Sequence, residues 1–317
     1  MRVRLTRIEG LDLSLFDFDF DLTLMMFFMD AEDKVYARYG GRDSENADNR
    51  QSLAGLRYTM QAVLATHRQQ DKEFAPRSAK KSPVASRRFG GRGCLHCHQV
   101  KERENATLSR ADKWDQMHRY PLPDNLGLLL EVDRGNIVKS TKEGSPAAKA
   151  GLRQGDLIRR LADVPVHSFG DAQFALDRAR KDKTLAVSWQ RGDEILWGQI
   201  DLPADWSKTD FSWRRSLRRW IASSRLNGKD LNVQEKKDLG LSDKQLAYRP
   251  STPLHARVLK AGIQDGDIIL GVNDRILETD VNGFHEYVRK NFLADDRVDI
   301  NVLRAGKRLK IPMTLSR

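Results

Sequence analysis

The chain has 317 residues, 39% of them hydrophobic and 31% charged, with a formal net charge of +11. That length allows two or three compact domains, and the basic excess comes with no nucleic-acid module, so no specific nucleic acid is expected as a partner. Two cysteines exclude a disulfide framework, and the longest apolar run, Leu22–Met29, is too short to cross a bilayer.

Residues 1–70 read as a small α/β unit. Phe16, Phe18 and Phe20 alternate with Asp17, Asp19 and Asp21, a period of two. Thr23–Met29 is near-continuously apolar, as a buried strand would be. Asp30–Asp33 makes a turn, Lys34–Tyr39 returns as a strand, and Gly40-Gly41 ends it. Leu53, Leu56, Met60, Val63 and Leu64 then recur at helical spacing. This order of strand, turn, strand, glycine and helix resembles the second half of a thioredoxin fold. The proline that usually precedes the first strand of that family is absent at Asp21-Leu22-Thr23. The family's first half, with its redox cysteines or a selenocysteine, is also absent. The resemblance therefore implies a chain truncated at its start, or one that follows a misread selenocysteine codon.

Residues 71–120 read as a basic linker and a cysteine segment. Gly93-Cys-Leu-His-Cys-His98 matches Cys-x-x-Cys-His, the attachment pattern of c-type haem. Cys94 and Cys97 would bond the haem vinyl groups, and His98 would be the proximal iron ligand. Met117 and His118 are candidate sixth ligands, with His67 a remoter one. A redox dithiol, or a zinc site using Cys94, Cys97 and His98 or His118, fits the same residues. Haem c is thus the expected cofactor, with zinc or none as alternatives. Haem attachment implies a periplasmic or other extracytoplasmic location. Met1–Glu9 has no apolar signal-peptide core, so the export signal is expected to be missing, and a cytoplasmic chain is the alternative.

The back half repeats. Ala150-Gly-Leu-Arg-Gln-Gly-Asp-Leu-Ile158 aligns with Ala261-Gly-Ile-Gln-Asp-Gly-Asp-Ile-Ile269, so that Asp267 lies 111 positions after Asp156. A period of that size is a repeated domain. Gly151 and Gly262 suit a left-handed helix cap, and Gly155-Asp156 and Gly266-Asp267 a tight turn. The phrase is similar to the PDZ family in its bacterial arrangement. The resemblance implies peptide binding by strand addition at a sheet edge. Leu126-Gly127-Leu128 would cradle a terminal carboxylate, Leu128, Leu129 and Leu130 would start the edge strand, and Phe174 would lie on the groove helix. In the second copy Leu239-Gly240-Leu241 would be the loop and Gln245–Arg249 the edge strand, with little room for a groove. Bacterial PDZ modules often follow a serine protease, yet no Gly-x-Ser-Gly-Gly occurs in these residues.

The expected fold class is α+β multidomain, a partial thioredoxin-like α/β unit followed by two PDZ-type small β-barrel or sandwich domains. The expected boundaries are 1–70, 71–120, 121–205 for the first PDZ domain, 206–229 for a linker, and 230–315 for the second. The expected function is an extracytoplasmic redox-linked protein. It would bind a partner polypeptide through its first PDZ domain and exchange electrons with a second partner. The alternatives are a non-enzymatic peptide-binding scaffold and a zinc-stabilised adaptor.

Overall fold

A computed structural model describes residues 15–69, 97–111, 114–117 and 119–317. The chain divides into two compact units, one running to Thr209 and the other Asp210–Arg317.

The first unit opens with an antiparallel hairpin of β1 (Met25–Met29) and β2 (Val35–Gly40). Asp30 shapes its turn by accepting the N–H groups of Glu32 and Lys34 at 3.0 and 2.9 Å. Helix α1 (Leu53–Arg68) follows, and the Ser52 side chain caps it by accepting the Gly55 N–H. Strand, turn, strand and helix therefore occur where the pattern of residues 23–64 puts them. Their setting differs from a thioredoxin-like unit. Among the described residues β1 and β2 form a two-stranded sheet with no further strand. Helix α1 turns in Gly55, Thr59 and Val63 and leaves Leu53, Met60 and Leu64 exposed.

Helix α2 (Cys97–Arg110) and a 3-10 turn at Trp114–Met117 come next. A second 3-10 turn, Pro123–Leu126, ends at Gly127, whose φ of 70° lets the chain reverse into β3 (Leu128–Leu130). Strand β4 (Val138–Thr141) pairs with β3. A short helix α3 (Pro146–Lys149) leads to β5 (Leu157–Leu161) and β6 (Val164–Pro165). Helix α4 (Phe169–Arg178), β7 (Thr184–Arg191) and β8 (Glu194–Asp201) complete the module, with sheet order β6-β5-β7-β8. The buried side chains Leu128, Leu130, Ile158, Leu161, Ala172, Leu176 and Val187 fill its interior.

The second unit contains β9 (Gly228–Asp230), α5 (Val233–Asp238), β10 (Tyr248–Pro250) and α6 (Ala256–Ala261). It continues through β11 (Ile268–Val272), β12 (Arg275–Ile276), α7 (Val281–Asn291), β13 (Arg297–Arg304) and β14 (Lys307–Thr314). Its sheet order is β14-β13-β11-β10-β9, with β12 on β11. Tyr248, Phe284, Val288, Ile300 and Val302 are central to its core.

The repeated phrase has the same geometry in both units. Gly155 and Gly266 stand at φ of 87° and 86°, which side chains larger than hydrogen disfavour. The next residue is a buried carboxylate clasped by an arginine. Arg191 reaches Asp156 through Nε and Nη2, both at 2.8 Å, and its Nη2 also reaches Gly151 O at 2.7 Å. Arg304 repeats all three bonds on Asp267 and Gly262 O. The expected edge strand of the second copy is not an edge. Tyr248 pairs with Asp230 of β9 on one side and Ile269 of β11 on the other. Strand β9 holds the place that β3 holds in the first unit.

Candidate peptide-binding groove

Strand β3 is one wall of the groove. Gly127 O accepts Lys142 N at 2.8 Å and Glu131 N donates to Ile137 O at 2.9 Å. Alternate residues thus address β4, and Leu128 and Leu130 turn their main-chain groups to the outer edge. The side chains of Leu126, Leu128 and Leu130 are buried, and Leu129 is half-buried.

Helix α4 is the other wall. Ser168 caps it by accepting the Asp171 N–H. Phe169, Gln173 and Asp177 are four residues apart in turn and share one face. Gln173 Nε2 donates to Tyr120 O at 3.1 Å, and Asp177 Oδ1 accepts Tyr120 N at 2.8 Å. Arg119 Nη2 lies 2.8 Å from Asp177 Oδ2. Arg50 joins the walls: its guanidinium stacks on the Phe169 ring at 4.9 Å and donates to Leu130 O at 3.2 Å. It also reaches Asp43 at 3.0 Å and Asp124 at 3.6 Å. Burial raises the Asp124 carboxyl above the usual range, against the pull of Arg50.

The sequence-derived residues Leu126–Leu130 lie together on one wall. The Phe174 ring of α4 is covered by the Arg38 guanidinium of β2 at 3.5 Å. Phe169 was expected as an apolar position of this helix, whereas Gln173 and Asp177, which bond the Tyr120 main chain, were not singled out. Their i+4 and i+8 spacing from Phe169 is the signal that points to them. Arg50 was missed because nothing local links it to positions 130 and 169.

Asp171 ties β2 to α4. It accepts Arg38 N at 2.8 Å and His167 N at 3.1 Å, while the Ser168 hydroxyl donates to Arg38 O. Burial pushes its carboxyl up to about 7, although those bonds favour the charged form. Gly170 makes the approach possible, since a Cβ there would come within 2.7 Å of Arg38 O.

Of the cysteine segment, Cys94 and His118 lie outside the described residues. Cys97 and His98 begin α2, but their side chains lie outside the description too. Met117 is buried within the first unit. The His67 ring contacts Tyr36, with Nδ1 3.1 Å from the hydroxyl. Among the described residues no three His, Cys, Asp or Glu side chains form a group that could hold a metal.

Comparison with known proteins gives the module its family. Residues 137–191 match the model of a PDZ domain. The chain is 28% identical over 148 residues to the periplasmic pH-dependent serine endoprotease DegQ of Escherichia coli strain K12, covering 46% of this chain and 30% of that protein. It is 38% identical over 65 residues to the periplasmic serine endoprotease DegP of Salmonella typhimurium, covering 20% and 13%. The chain thus spans less than a third of the length of these relatives. A solved HtrA-type protease, AlgW with a decapeptide, aligns at 13% identity with a TM-score of 0.27, covering 51% of this chain and 49% of that one. These relatives overturn the redox reading. The thioredoxin-like family, haem c or zinc at Cys94, Cys97 and His98, the iron ligands Met117 and His118, and the electron-transfer partner all give way to similarity with serine endoproteases. The chain is similar to serine endoproteases although no Gly-x-Ser-Gly-Gly occurs in these residues. What stands is a multidomain chain framed by β-sheet that contains a PDZ domain.

Proposed function

We propose that the first module recognises an extended polypeptide, adding it as a strand to the outer edge of β3 with its end at Leu126-Gly127-Leu128. The observation that carries this reading is the outward main chain of Leu128 and Leu130 beside α4. The matched PDZ domain supports it. Leu126, Gly127, Leu128, Leu129 and Leu130 are the strand-side contacts. Phe174, expected in this role, serves it only after Arg38 moves. The second unit is proposed as a further PDZ-type module whose main role is packing. The relatives are named as periplasmic, and an extracytoplasmic site of action is proposed on that ground. Among the described residues no helix is long and apolar enough to cross a membrane.

The test is fluorescence anisotropy of the whole chain against peptides with an apolar last residue, each with a free or amidated end. Charge-assisted bonds to the carboxylate are worth about 1.5–3 kcal/mol, so amidation is expected to weaken binding by about tenfold or more. Equal binding of both forms would remove the carboxylate role. No saturable binding in wild type or in Arg50→Ala would remove the proposal.

A further inference from the structure

The groove of the first module is already filled from within. Four contacts place residues 38–52 across both of its walls. Arg38 bonds to Asp171 and Ser168 at the start of α4. At Gly41 a Cβ would press on the Phe169 ring at 2.5 Å, so only a bare backbone fits there. Arg50 is held between the Phe169 ring and Leu130 O. Ser52 Oγ donates to Asp133 Oδ1 at 2.6 Å, beyond the end of β3. Leu130 O is the carbonyl that an added strand would use, because its direction alternates away from β4. Arg50 is not a loose surface side chain. Its own side chain is 9% exposed, and so is that of Asp43, which anchors it at 3.0 Å.

We propose that residues 38–52 are an internal cover of the β3–α4 groove, and that Arg50 must leave Leu130 O before a polypeptide can bind. This rests on the peptide-recognition reading of the same groove. Chain and ligand then compete for one carbonyl and one ring, and the apparent affinity falls by the fraction of molecules in which the cover is open. The cover is held by polar bonds and by the cation–ring contacts of Arg38 with Phe174 and of Arg50 with Phe169. Its opening is therefore reversible on the scale of local unfolding and does not require the module to unfold.

The experiment uses the full chain as wild type, Arg50→Ala and Asp43→Asn. Peptide affinity is measured together with amide hydrogen exchange. Arg50→Ala is expected to bind the peptide about tenfold more tightly than wild type. Asp43→Asn, which loosens the anchor and keeps the arginine, is expected to give a smaller gain in the same direction. Adding peptide to wild type is expected to speed exchange in residues 38–52 while slowing it at Leu128 and Leu130. If peptide binds all three proteins equally and exchange in 38–52 does not rise, the cover is wrong and the peptide reading survives. If none of the three binds any peptide, the peptide reading falls and the cover falls with it. A melting curve for each variant separates loss of fold from loss of binding.

Discussion

The two units share the Gly-Asp turn with its arginine clasp and brace the helix that follows it differently. Each has an ion pair at the same turn of its groove helix, equally far from the N-caps Ser168 and Asp280. The signs are exchanged. In the first unit the helix supplies Asp177 and the preceding segment Arg119, at 2.8 Å. In the second the helix supplies Arg289 and the preceding segment Asp210, at 2.7 Å. The wall strands diverge more. Leu128-Leu129-Leu130 is apolar, whereas Gly228-Lys229-Asp230 is polar, and Asp230 Oδ1 accepts Val281 N at 3.0 Å. The Gly-Asp turn and its arginine clasp recur in both units, while the strands Leu128–Leu130 and Gly228–Asp230 differ in polarity.

The largest expected effects test what the units share. Asp156 and Asp267 are each 1% exposed, and each accepts a turn N–H as well as its arginine. Replacing either with alanine removes the buried acceptor of a turn N–H and of a two-pronged arginine. Asp156→Ala and Asp267→Ala are each expected to lose about 2–4 kcal/mol in urea unfolding of the whole chain. A loss confined to one variant would break the equivalence of the two clasps.

The exchanged pair is expected to be unequal. Asp177 is buried and holds Arg119, Arg180 and the Tyr120 N–H together. Arg289 is half-exposed and pairs with Asp210. Asp177→Ala should therefore cost about 3 kcal/mol, as breaking a buried pair does. Arg289→Ala should cost about 0.5 kcal/mol, as an exposed pair does. Similar losses for both would show that the first groove helix is no more tightly braced than the second.

How much of this was legible in the sequence depends on the distance over which the chemistry acts. Gly155 and Gly266 announce a positive φ, and the following Asp a turn, because the reason is local to the backbone. The hairpin over 25–40 and helix α1 were legible for the same reason. Their resemblance to a thioredoxin hairpin misled, because alternation around an Asp turn suits any hairpin and says nothing of what packs on it. The cysteine pair misled similarly, since a three-residue spacing specifies no ligand by itself. The second edge strand was misplaced because α5 is inserted between β9 and β10, while β3 and β4 are joined by a short loop. Counting back from Gly266 therefore meets β10 before β9. Arg50 was invisible, because it matters only once Leu130 and Phe169 are brought beside it.

A pH response should separate the covered groove from the second one. Burial raises the Asp171 carboxyl to about 7, above its value of near 3.8 in an unfolded chain. The folded state therefore binds the extra proton, and the stability it contributes is full below that lower value. It is lost as pH rises through about 7, when the charge must sit between the backbone of Arg38 and His167. The cover should be cleaved by trypsin after Arg42 several-fold faster at about pH 8 than at about pH 5, after correction for the protease's own pH profile. Asp171→Asn should flatten that difference. A rate that keeps its pH dependence in the variant would assign the response to another group.

The smallest effect concerns Asp230, which ties the wall strand of the second unit to the start of α7. Asp230→Ala removes one bond to Val281 N and should cost about 0.5–1 kcal/mol, read as a small shift in the urea midpoint. The more telling readout is peptide binding. Removing Asp230 leaves Lys229 and the polar edge of β9 unchanged, so the variant should gain no affinity for peptides that bind the first module. If it does gain affinity, one carboxylate is what closes the second groove, and the two units differ by a latch and not by the chemistry of their wall strands.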